Sequence, residues 1–293
     1  MHKYLEMSID FTNTYIKYKD SSPQIREIMC LRTLYPRGFL DLREGDVFAG
    51  RLDIDTTYGG ELNFPVVFHP KNRSQVGYNC SIEVLEKLAK EYPEYEEKIN
   101  WMIDFWKKES TLVKIREEAP QDIKDYLFPN RWIGLDKYGY WRRGKPGKPI
   151  GAGFISGSFD TRAGGIIVNF DNLLPCGING LRKKIDEFEK ENGKNDFYDA
   201  ARISIDLICE TMEYYRVQAE KLSLTADEEY RTRHKETAQI LADLQHRAPR
   251  TLKEAIQLAL IFTIVSGVDC FGRFDFILSD WKKAIHLCFF SDC

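Results

Sequence analysis

The sequence predicts a helix-rich α/β fold, on three observations. Apolar residues recur at steps of three and four through several long segments, the mark of amphipathic helices. Between residues 43 and 70, short apolar runs are broken instead by Gly45, Gly50, Gly59 and Gly60, the pattern of short strands or extended loops. The most apolar helix, over 251 to 266, has so few polar positions that it needs covering layers on more than one side.

Taken in order, the run SPQIREIMCLRTLYP reads as the first helix: Pro23 follows Ser22 and suits a first turn, while Ile25, Ile28, Met29 and Leu31 supply apolar positions. Cys30 lies among them and reads as packing. Arg51, Asp53 and Asp55 form either an ion network or a pocket rim, and the two aspartates lack a third convergent ligand for a metal. From Ser81 the period is helical, with Ile82, Leu85, Leu88 and Tyr92 on one face up to Pro93. Tyr95, Ile99, Met102 and Trp106 then define a second helix, which packs back on the first if the Pro93 break turns the chain.

Residues 127 to 165 mix aromatic, basic and glycine residues. Arg142, Arg143, Lys145 and Lys148 beside Trp141 read as solvated surface rather than a nucleic-acid grip, and GKPGKPIGAG lacks the GK[ST] ending of a phosphate-binding loop. Beyond it, Leu181, Ile185 and Phe188 form the apolar stripe of a helix that Gly193 can stop. Asn169, Asp171 and Asn172 precede that helix and suit either a pocket wall or a turn.

The clearest helix holds Ala201, Ile205, Ile208, Met212, Tyr215, Ala219 and Leu222 on one side, with Asp196 as its expected cap. Thr225 and Glu228 have capping-box spacing for a helix to about Leu244, on which His234 and His246 lack the HExxH pairing of a zinc site. In the apolar helix, Thr251 and Glu254 form another capping box; Leu252, Ile256, Leu260 and Ile264 share a face, leaving Lys253, Gln257 and Thr263 to suit solvent. It leads to GRFD, eighteen residues before the last residue.

Composition narrows the function classes. With 43% hydrophobic and 30% charged residues, the 293-residue chain is long enough to bury roughly three quarters of its unfolded surface. A net charge of -3 gives no general reason to expect nucleic acid or an anionic membrane as partner. The opening MHKYLEMSIDF has no secretory pattern and no apolar run reaches bilayer length, so the expected setting is the cytoplasm. Seven widely spaced cysteines without a CxxC pair argue against a disulfide scaffold or a compact zinc or iron–sulfur site.

Three stretches, in this order and spacing, carry a resemblance: IREIMCLRTLYP with REGDVFAGR; AGGIIVNFDNLLPCGINGLRKKI with FYDAARISIDLICETMEYYRVQAEKLS; and PRTLKEAIQLALIFTIVSGVDCFGRFD. They resemble the N-terminal part of the glycyl radical enzymes of the pyruvate formate-lyase family. The resemblance implies a ten-stranded α/β barrel with surrounding helices, of which this chain holds an incomplete N-terminal portion, residues 1–275. It makes residues 276–293 an atypical tail, read as frameshifted or truncated. The family's radical glycine lies in an Arg-Val-x-Gly motif and its attacking cysteine on a mid-sequence loop, and neither motif occurs in these residues. No catalytic residue, metal ligand or bound cofactor is therefore assigned, and Cys176 and Cys270 read as packing or turn residues.

The resemblance implies a substrate-pocket contribution instead. Gly165, Asn169 and Phe170 stand where the family often has the His, Asp and Tyr of Gly-His-x-x-x-Asp-Tyr, which removes a possible acid or base and leaves an amide. Gly272, Arg273 and Asp275 match Gly-Arg-x-Asp and read as a charge-paired structural junction or pocket rim. For the full-length form the resemblance implies a small-molecule substrate, cleavage of a C–C, C–O or C–N bond, and a glycyl radical installed by an iron–sulfur, S-adenosylmethionine-dependent activating enzyme. It is compatible with a homodimer. The expectation for this chain alone is an inactive fragment; the alternative is a non-catalytic binding or assembly protein on the same scaffold.

Overall fold

The structure is a computed structural model that describes residues 3–50, 66–67, 79–80, 82–109, 117–118, 120–121, 133–135, 141–143, 168–266 and 277–279. The chain divides into two compact units, one of residues 1–13 and 54–164, the other of residues 14–53 and 165–293.

In the first unit, the N-terminal part of helix α1 (Lys3–Tyr18) accompanies α3 (Ile82–Glu91) and α4 (Glu96–Glu109). The α1 helix was not foreseen. Its buried face of Leu5, Ser8, Phe11, Thr12 and Tyr15 has helical spacing, but two hydroxyl residues interrupt the apolar signal. The Thr12 hydroxyl is satisfied internally. Thr12 donates to the Ser8 carbonyl at 2.8 Å and accepts from the Trp106 indole at 2.8 Å. Pro93–Tyr95 forms a 3-10 turn between α3 and α4, which pack on one another as the Pro93 break predicts. Ile99, Met102 and Trp106 are buried along the expected face.

Two short antiparallel ladders complete this unit's described elements. Strand β1 (Val66–Val67) pairs with β2 (Asn79–Cys80), and β3 (Ile133–Leu135) with β4 (Trp141–Arg143), the latter inside the aromatic and basic stretch.

The second unit is built on α6 (Asp196–Thr225), a 30-residue helix about 45 Å long. Against it pack α2 (Pro23–Leu34), α5 (Phe170–Asn192), α7 (Glu228–Leu244) and α8 (Leu252–Ser266). Ile205, Ile208, Met212, Tyr215 and Ala219 are buried as their period predicts. Its cap is Asn195 rather than Asp196: the Asn195 side chain accepts from the Phe197 N–H at 2.9 Å. Asp196 is instead the first residue of the helix, where its charge suits the positive end of the dipole.

The Thr225–Glu228 capping box does not form. Thr225 ends α6 and its hydroxyl donates back to the Lys221 carbonyl at 3.0 Å, which leaves Asp227 as the cap of α7 without a side-chain capping bond. The Thr251–Glu254 box does form on one side, with the Glu254 N–H donating to the Thr251 hydroxyl at 3.2 Å. Helix α8 is covered on several faces, and that burial includes Gln257 and Thr263, which periodicity had assigned to solvent. On α5, the expected stripe is only partly covered. Leu181 and Ile185 are half-buried and Phe188 is 53% exposed, whereas Phe170, Leu173, Leu174 and Ile178 are buried.

Candidate functional site

The second unit's most specific arrangement is a backbone segment held by side chains from three helices. Residues 39–50 run without a strand partner among the described residues, so their buried backbone groups need other partners. Helix α6 supplies several of them. The Tyr215 hydroxyl donates to the Leu40 carbonyl at 2.9 Å, the Tyr214 hydroxyl to the Asp41 carboxylate at 2.6 Å, and the Gln218 amide oxygen accepts from the Leu42 N–H at 2.8 Å. Burial, together with the bond to Asp41, pushes the Tyr214 hydroxyl up to about 12.

Helix α7 holds the middle of the segment. His234, fully buried, places Nε2 2.8 Å from the Glu44 carbonyl, so that nitrogen carries the proton. The Glu44 carboxylate in turn accepts from the Asp227 N–H at the start of α7, where an anion is favoured. Helix α8 holds the end: Gln257 accepts from the Ala49 N–H at 2.9 Å and donates to the Ala49 carbonyl at 2.8 Å. Gly50 follows with φ +102, and a Cβ there would lie 3.0 Å from the Ile261 Cδ1 and 3.1 Å from the Ile264 Cδ1. The strap therefore lies directly on the apolar helix, and only glycine fits at its edge.

A second close approach sets the start of α5. Gly177 sits within that helix at φ +60 and ψ -170, two residues after Pro175, and breaks it into two segments. A Cβ on Gly177 would stand 2.7 Å from the Ala248 Cα, while Asn179 donates to the His246 carbonyl at 2.5 Å. The turn after α7 thus packs against the kink. That turn is itself fixed by Arg247, whose guanidinium grips Glu254 with two bonds of 2.8 Å and Asp243 with one of 2.7 Å. Glu254 also accepts from the Arg250 N–H at 2.5 Å, and the Arg247 guanidinium holds its carboxyl below the usual carboxylate range.

The sequence-selected site residues fall as follows. Asn169 is the exposed cap of α5; its side chain accepts from the Asn172 N–H at 3.1 Å, the turn role its position allowed. Phe170, next to it, is 1% exposed and belongs to the core. Asn172 accepts from Lys184 Nζ at 2.9 Å across the kink, and Asp171 is exposed. Gly165, Gly272, Arg273 and Asp275 lie outside the described residues, as do Cys270, Arg51, Asp53 and Asp55.

The surroundings of Cys30, Cys176 and Cys209 are those of packing residues. Cys30 is 1% exposed; Cys176 donates weakly to the Leu173 and Gly177 carbonyls at 3.8 and 3.5 Å. Cys209 lies 3.8 Å from an Arg182 nitrogen, yet burial dominates and pushes its thiol pKa up, away from the nucleophilic thiolate. Among the described residues, no group of three His, Cys, Asp or Glu side chains is placed to hold a metal ion, and no helix is long and apolar enough to cross a membrane.

Sequence reasoning missed Gln218, His234 and Gln257 as the holders of the strap. The available signal was an amide or imidazole on a helix face otherwise given to apolar packing, which requires a buried partner.

A helical scaffold latching an extended strap onto an apolar helix is the class of structure these residues define, and the comparisons place it in a family. The chain belongs to the pyruvate formate lyase-like family, whose model matches residues 4–279. Its fold is similar to that of the B12-independent glycerol dehydratase from Clostridium butyricum, solved with glycerol bound, at a TM-score of 0.63 and 16% identity over 94% of this chain and 34% of that one. Hydroxyproline dehydratase from Clostridioides difficile, solved with trans-4-hydroxy-L-proline bound, gives 0.62 and 17% over 96% and 35%. A glycyl radical enzyme from Archaeoglobus fulgidus gives 0.61 and 16% over 97% and 35%. The chain thus spans about a third of the length of these solved proteins. No curated protein sequence matches it.

Proposed function

We propose that this chain supplies the scaffold and part of the substrate pocket of a glycyl radical enzyme, and that residues 1–293 do not turn over by themselves. The observation that supports this reading is the family match over residues 4–279, joined to an absence from these residues of both the Arg-Val-x-Gly motif and the mid-sequence cysteine loop. The chemistry of such an enzyme needs both: the backbone radical serves to make a thiyl, and the thiyl attacks substrate. The described thiols do not substitute, since Cys30, Cys176 and Cys209 are packed or held by neighbouring groups.

In this reading residues 1–275 are the N-terminal portion of the family's α/β barrel domain, working in the cytoplasm. Gly165, Asn169 and Phe170 border a pocket for a small molecule, Asn169 with an amide that can hydrogen-bond but not exchange a proton at neutral pH. Gly272, Arg273 and Asp275 serve in this reading as a charge-paired structural junction or pocket rim. The partner is a radical-installing, S-adenosylmethionine-dependent iron–sulfur enzyme. Bound polyol and hydroxyproline in two of the similar structures favour a hydroxylated substrate and C–O cleavage.

The test is electron paramagnetic resonance on the 293-residue chain after anaerobic incubation with such an activating enzyme and S-adenosylmethionine. The expected spectrum has no glycyl radical doublet. A doublet would overturn the proposal that this chain alone is inactive.

A further inference from the structure

We draw no further inference here: the strongest candidate, the partly uncovered apolar stripe of Leu181, Ile185 and Phe188 on the second segment of α5, is an unpartnered helix face, and nothing in the structure shows what covers it.

Discussion

Gln257 and Ala49, 208 positions apart in the chain, are joined by two hydrogen bonds of 2.9 and 2.8 Å, one in each direction between a side-chain amide and a backbone peptide. Both residues are buried, so neither peptide group has water to turn to if the amide is removed. Gln257→Leu keeps most of the side chain's volume and deletes both bonds. The expected loss is about 2–4 kcal/mol, from two unsatisfied backbone groups at about 1–3 kcal/mol each with partial relaxation. Urea unfolding of the variant reads this directly. A midpoint unchanged from wild type would mean the strap is not held by Gln257.

Three glycines should rank in a fixed order when replaced by alanine. Gly177 has both a glycine-only conformation and a backbone neighbour at 2.7 Å, so Gly177→Ala should cost at least about 2 kcal/mol. Gly193 has φ +84 and open space, so only backbone strain remains, about 1 kcal/mol. Gly45 has open space and no positive φ, and Gly45→Ala should fall within about 0.5 kcal/mol of wild type. Thermal melts of the three variants give the order; Gly193→Ala costing more than Gly177→Ala would show that the α5 kink is not pinned on Ala248.

The Arg247–Glu254 pair makes a pH prediction. Glu254 is held below the usual carboxylate range by Arg247, so its contribution is present above the unfolded carboxylate range and is lost as pH falls through the lowered folded value. Stability of the wild type should therefore decline below about pH 5 more steeply than that of Glu254→Gln. At neutral pH the variant should be weaker by about 1–3 kcal/mol, because Arg247 loses a bidentate charged acceptor. Unfolding midpoints measured from pH 3 to 7 separate the two curves; parallel curves would contradict the assignment.

The physical reach of local sequence pattern explains which features were legible. Helices α3, α4 and α6 followed from apolar spacing, and α8 from its capping box, because these signals lie within one or two turns. The cap of α6 moved by one residue because Asn195 and Asp196 are both good caps, and only the backbone geometry chooses between them. Helix α1 was hidden by Ser8 and Thr12; the Thr12 hydroxyl is paired with the Ser8 carbonyl in the same helix and with an indole 94 positions away. The strap was the least legible part. Its partners Tyr215, Gln218, His234 and Gln257 lie more than 170 positions on, and no periodicity reports a contact of that range. Of the candidate site, Asn169 was legible as a polar residue at the start of a helix, and its side chain accepts from the Asn172 N–H there.

The central structural claim is that residues 39–50 are latched to α6, α7 and α8 as one cooperative unit. Native-state amide hydrogen exchange, resolved residue by residue, tests it most directly. The Leu42 and Ala49 amides should exchange only with the free energy that opens the buried core of α6, near that of Met212 and Tyr215. Leu42 and Ala49 exchanging as fast as unprotected loop amides, while Met212 and Tyr215 stay protected, would contradict the account.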